Sequence, residues 1–239
     1  MSKGNIMNTA TTKKSSIIRY VSAVAFVVAG ILLVLYPLLR PFSDETSLQG
    51  AHAFASPLWL LAHLLAVVGF ILTTLGLLGL SRVLQNTGVE RLMSLALIMT
   101  WIGVGLILPY YGAEVFALNV IGQEVVRQQN LALMPLVNAI RFGPAVYVFA
   151  VGLLFLAIGP ILAAIAIWRS GVVFKWSGIP FALGFALYLP QFFGDQPIRV
   201  LHGLLLTLGC IWLAVSLVRA QKSHEQKHLT GQVANQPIG

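Results

Sequence analysis

The sequence predicts an all-α integral membrane protein, a bundle of about six transmembrane helices arranged as three hairpins with both termini in the cytoplasm. Three observations carry this expectation. Of 239 residues, 58% are apolar and only 9% are charged, where a soluble domain carries roughly a quarter charged residues. The charges fall in short clusters between long uncharged stretches, as repeated crossings require. Lys and Arg concentrate on alternate connections.

The elements follow in order. Residues 1–16 are polar and read as a disordered cytoplasmic segment. A helix rises about 1.5 Å per residue, so about 20 uncharged residues cross a hydrocarbon core of roughly 30 Å. Six stretches qualify: Tyr20 to Leu39, Pro57 to Leu80, Leu92 to Gly112, Phe142 to Trp168, Trp176 to Phe193 and Val200 to Val218, none containing Asp, Glu, Lys or Arg. A charge near the midplane would cost about 2.5–3.5 kcal/mol, so this vacancy is physically meaningful. The first stretch is longer than the core of a cleavable signal peptide, and no cleavage is expected. One transmembrane domain over 17–219 results, with a polar tail at 220–239 expected to be disordered.

The connection 113–141 differs from the rest. Val115, Phe116, Leu118, Val120, Ile121, Val125 and Val126 recur with partly helical spacing. The segment reads as an outer loop, partly helical, that either continues the third helix or lies on the outer surface. Asn130 ends it, and Leu131 to Ile140 lead back to the membrane.

Orientation comes from Lys and Arg, which resist translocation more than acids do. With the N-terminus inside, the inner segments hold Lys3, Lys13, Lys14, Arg19, Arg82, Arg91, Arg169, Lys175, Arg219, Lys222 and Lys227. The outer ones hold Arg40, Arg127, Arg141 and Arg199, together with Asp44, Glu45, Glu114, Glu124 and Asp195. Tyr36, Tyr110, Tyr111, Tyr147 and Tyr188 then form an outer aromatic belt, with Trp168 and Trp176 near the inner headgroups. A multi-pass plasma-membrane protein is the expected class.

Several function classes are disfavoured. The net charge of +8 is scattered over helix ends and forms no nucleic-acid-binding patch. Cys210 is the single cysteine, which leaves no intrachain disulfide and no Cys-based zinc site. No phosphate loop, nucleophile elbow or Cys-x-x-Cys pair is present.

Helix association in lipid depends on small residues that let backbones approach. Such stripes occur at Ala62, Ala66, Gly69, Thr73 and Gly76; at Ala96, Thr100 and Gly103; at Gly152 and Gly159; and at His202, Gly209 and Ser216. They also suit a homo-oligomer or a membrane partner.

Ionisable residues inside spans are costly enough to mark candidate sites. His63 and His202 share an expected depth just below the outer surface, with Glu114 and Asp195 above them and His52, Glu124 and Arg199 nearby. These residues could bind a divalent metal through imidazole and carboxylate, ligate a haem through two axial histidines, or carry protons coupled to a substrate. Hydrogen bonds to neighbouring helices would account for the histidines equally well. In the tail, His224-Glu225-Gln226-Lys227-His228 matches H-E-x-x-H. Zinc peptidases need that motif on a helix inside a folded domain with a third ligand, and none surrounds it here.

The leading expectation is a small-molecule or ion binding or transport-type protein, whose outward-facing His/carboxylate site is formed by the second, third and sixth helices. A haem- or metal-binding redox protein using the same histidines is the first alternative, and a structural or regulatory subunit the second.

Overall fold

A computed structural model describes the backbone of residues 3–234 and the side chains of residues 16–220. Among the described residues every regular element is helical. The order is α1 (Lys3–Leu39), α2 (Leu48–Ala55), α3 (Pro57–Val83), α4 (Glu90–Gly112), a π turn (Ala113–Ala117), α5 (Leu118–Gln128), α6 (Pro135–Phe142), α7 (Ala145–Ser170), α8 (Gly178–Ala186) and α9 (Gln196–Ala234). Five stretches are long and apolar enough to cross a bilayer: Ser16–Leu39, Pro57–Val83, Glu90–Gln128, Ala145–Ser170 and Gln196–Ala220. The fold is thus a helical bundle suited to a membrane. Expectations for the two terminal segments, including His224 to His228, fall outside the described side chains.

Local chemistry sets the helix ends. Ser56 caps α3 by accepting from the Leu58 amide at 3.0 Å, with Pro57 at the first helical position. At the other end of a helix, α7 stops at Gly171, whose φ of 66° suits a residue without a Cβ.

The stretch Trp176 to Phe193 forms only nine regular α residues, followed by a turn and a 3-10 helix over Pro190–Phe193. Pro190 supplies the reason. A proline ring collides with the carbonyl four residues earlier, here Ala186, where α8 ends. The segment nevertheless runs the length of α7: Lys175 Nζ lies 5.2 Å from the Trp168 ring, and the Phe192 and Phe149 ring centres are 5.9 Å apart. Trp168 and Phe149 are separated along α7 by about 28 Å at 1.5 Å per residue.

Six segments close a ring in which α3 packs on α1, α1 on α9, α9 on α8, α8 on α7, α7 on α4 and α4 on α3. Phe26, Phe70, Leu77, Met93, Leu156 and Phe181 fill its centre. Small residues set the closest approaches. A Cβ added to Gly69 would come within 3.0 Å of Leu33, and one at Gly103 within 2.7 Å of the Leu156 amide nitrogen. Gly159 opposes Thr100 across the same α4–α7 seam, while Gly209 lies against the backbone of α8.

A second, smaller core caps one end of the ring. Ala51, Phe54, Trp59, Leu118, Val125, Met134 and Val137 come together there. The π turn carries α4 on into α5, so part of the 113–141 connection extends the third long helix. Gly122 brings α5 onto α2, since a Cβ there would sit 2.6 Å from that of Phe54. Asn119 Nδ2 then donates to the Phe54 carbonyl at 2.7 Å.

Candidate functional site

Beneath the cap lies a chain of four charges. Glu114, in the π turn, accepts from two of the three Arg141 guanidinium nitrogens: Nε donates to Oε1 at 2.5 Å and Nη2 to Oε2 at 2.9 Å. The remaining arm, Nη1, donates to Glu45 Oε2. Glu45 Oε1 accepts from Arg40 Nη2 at 2.7 Å. Two cations and two anions thus cancel, which is how buried ions become tolerable. Trp59, in the first turn of α3, joins them by donating from Nε1 to the Glu114 carbonyl at 2.6 Å. Its ring also carries the Arg40 guanidinium at 4.6 Å, a cation–π contact.

Glu45 and Arg141 each favour the charged form of the other. Burial alone would raise the Glu45 carboxyl, but Arg141 and Arg40 outweigh it and leave the group below its ordinary range. Burial likewise works against the Arg141 cation, and the Glu114 and Glu45 carboxylates reverse the balance, raising it. Asp44, outside the network, is lowered by the Thr46 hydroxyl and amide.

His63 sits one turn beyond Trp59 with 1% of its surface exposed. Its Nδ1 lies 2.8 Å from the Trp59 carbonyl, which can only accept, so Nδ1 carries the proton. In the neutral ring Nε2 then presents a lone pair, 3.8 Å from Glu114 Oε2. That separation is too long for a hydrogen bond. Two acceptors face each other, and a proton on Nε2 would convert them to an ion pair.

Aromatic rings lead onward from His63. The Tyr36 ring centre is 5.1 Å from it, Tyr111 lies 5.9 Å from Tyr36, and the Tyr111 and Tyr188 hydroxyls are 2.8 Å apart. Tyr188 in turn packs edge-on against His202 at 5.3 Å. Buried phenols need such partners.

The structure therefore brings His63 and Glu114 together and separates them from the other two candidates. His202 faces α8, where its Nε2 donates to the Gly184 carbonyl at 2.7 Å. Asp195 is exposed and accepts from the Ile198 amide at 3.3 Å as α9 begins. Glu124 pairs with Arg127 on the surface at 2.5 Å. Among the described residues no three His, Cys, Asp or Glu side chains are grouped so that they could hold a metal ion.

Arg141, Arg40, Glu45 and Trp59 were not singled out by the sequence as site residues. The available signal was the near-balance of acids and arginines on the outer connections, read there as topology alone. Of the tyrosines assigned to a belt, Tyr36, Tyr111 and Tyr188 are buried in the core, while Tyr147 is 74% exposed. Helical phase carries this distinction, because a belt residue must point outward from its own helix. No protein-family model, curated protein or solved structure matches this chain.

Proposed function

We propose that this chain is a multi-pass plasma-membrane protein of binding or transport type, worked by a proton exchanged at His63 against Glu114. The observation that carries this reading is the 3.8 Å approach of Nε2 to Oε2 while Nδ1 is held by the Trp59 carbonyl.

The consequence of protonation follows from the partners. Glu114 serves Arg141 through both oxygens. A cationic His63 would compete for Oε2 and weaken one arm of that fork. Arg141 ends α6 and also holds Glu45, so the same proton loosens the attachment of the cap. Proton binding and access to the bundle end are then coupled, as a proton-linked carrier or receptor requires. A small solute or ion is the expected ligand class.

The layout we favour has six crossings in three hairpins, with both termini cytoplasmic. It is supported by the Lys and Arg asymmetry and by the 175–192 segment running alongside α7 for about the depth of a bilayer. Labels at Gly88 and Gly171 should then react from one side, and labels at Gln49 and Gly194 from the other. Gly171 and Gly194 reacting from the same side would overturn it.

Charge movement in proteoliposomes on a solid-supported membrane tests the proton reading. Stepping the bath from neutral to progressively more acidic pH should displace charge in the native protein. His63→Gln should abolish that signal and His202→Gln should keep it. A His63→Gln protein that responds like the native one refutes the proposal.

A further inference from the structure

A groove of about 550 Å³ runs between α9 and the turn that follows α8, lined by Leu187, Pro190, Gln191, Leu201, His202 and Leu205 among others. Its size is that of a small-molecule site. The α9 wall opens toward the lipid-facing side, since Leu201 and Leu204 are 67% and 52% exposed. Any occupant therefore enters from the bilayer.

Two polar groups interrupt these apolar walls. Gln191 lines the groove with 7% of its surface exposed, and its side-chain amide is not engaged by another described residue. The amide offers both a donor and an acceptor. His202 supplies the second group. Its Nε2–H is committed to the Gly184 carbonyl, so the neutral ring has an acceptor left at Nδ1. No charged side chain lines the groove, and an ionised head group would find no counter-ion there.

We propose that this groove binds a neutral lipid with a hydroxyl head group. A hydroxyl both donates and accepts: it gives its hydrogen to His202 Nδ1, accepts from the Gln191 amide, and leaves its hydrocarbon body along the leucines. The proposal is independent of the proton exchange at His63.

The test uses the full-length protein in mild detergent, with native mass spectrometry reading retained lipid. Dioleoylglycerol and dioleoylphosphatidylglycerol are the probes, because they share tails and differ in head group. One dioleoylglycerol per chain should be retained in preference to the anionic lipid. Gln191→Leu and His202→Phe should each weaken retention about fivefold, the value of one neutral hydrogen bond of about 1 kcal/mol. Leu204→Trp, on the exposed wall, should block binding without touching either polar group; thermal unfolding confirms that each variant is folded. Equal retention of both lipids, or undiminished retention in folded Gln191→Leu, overturns the proposal. So does a groove covered by a second copy, seen as a dimer that Leu204→Trp dissociates.

Discussion

Arg141→Met gives the sharpest test of the charge chain. The substitution keeps most of the side-chain volume and removes three charge-assisted hydrogen bonds, two to Glu114 and one to Glu45. Glu45 is 27% exposed and keeps Arg40, so little of the loss falls there. The Glu114 side chain is 11% exposed and is left without a cation in hydrogen-bond contact. Removing one partner of a buried pair costs about 3–5 kcal/mol, and the surviving Arg40–Glu45 bond places the expected loss near about 3 kcal/mol. Adding Glu114→Gln to Arg141→Met removes the stranded charge and should recover about half of that loss, because neutralising both partners costs less than orphaning one. The measurement is unfolding in mixed micelles with rising SDS, read by tryptophan fluorescence. A single variant within about 1 kcal/mol of native, or a double variant no more stable than the single, would show that the network is not a buried ion pair in the sense used here.

Gly103→Ala should destabilise by about 1–3 kcal/mol in thermal unfolding, because the new Cβ meets Leu156 and Gly152 backbone at 2.7 and 2.9 Å; Gly105→Ala, with nothing within 4 Å, should be neutral or slightly stabilising. Tyr111→Phe strands the Tyr188 hydroxyl at a cost of about 1–3 kcal/mol, and Tyr111→Phe with Tyr188→Phe should be closer to native than the single variant. Acid should weaken the cap through Glu45. Its folded-state value is lowered, so the unfolded chain binds the proton more readily, and the stabilisation present above the ordinary carboxylate range is lost as pH falls through the lowered value. Glu45→Gln should flatten that acid limb of an unfolding-against-pH curve, and an unchanged limb would assign it to other groups.

The helical bundle was legible because its causes are local. Long uncharged stretches at Pro57 to Leu80 or Leu92 to Gly112 report solvation directly, and the stripes at Gly69, Gly103 and Gly159 report where backbones must meet. The broken course of 176–193 was less visible, since hydropathy ignores the single carbonyl that Pro190 displaces. At the site, expected depth and helical phase pointed to His63, His202, Glu114 and Asp195 but not to what surrounds them. Arg141 reaches Glu114 across 27 residues and Glu45 across 96. Periodicity carries no information over such separations, and counting arginines by side of the membrane treats each as a topological weight, not as a ligand for a particular acid.

The fold resolves a conflict that the residue types alone leave open. An acid and a histidine at the end of a membrane bundle suggest an open aqueous vestibule, yet both are buried, at 9% and 1% exposure. The cap accounts for this: α2, α5 and α6 cover the charges, and Arg141 and Arg40 replace the water that an open site would supply. Water can retreat from a vestibule without breaking any protein contact. Here the cap cannot lift without separating Arg141 from Glu114 or Glu45. Under the proton exchange proposed above, His63, 3.8 Å from Glu114 Oε2, competes for that carboxylate only when it carries a second proton.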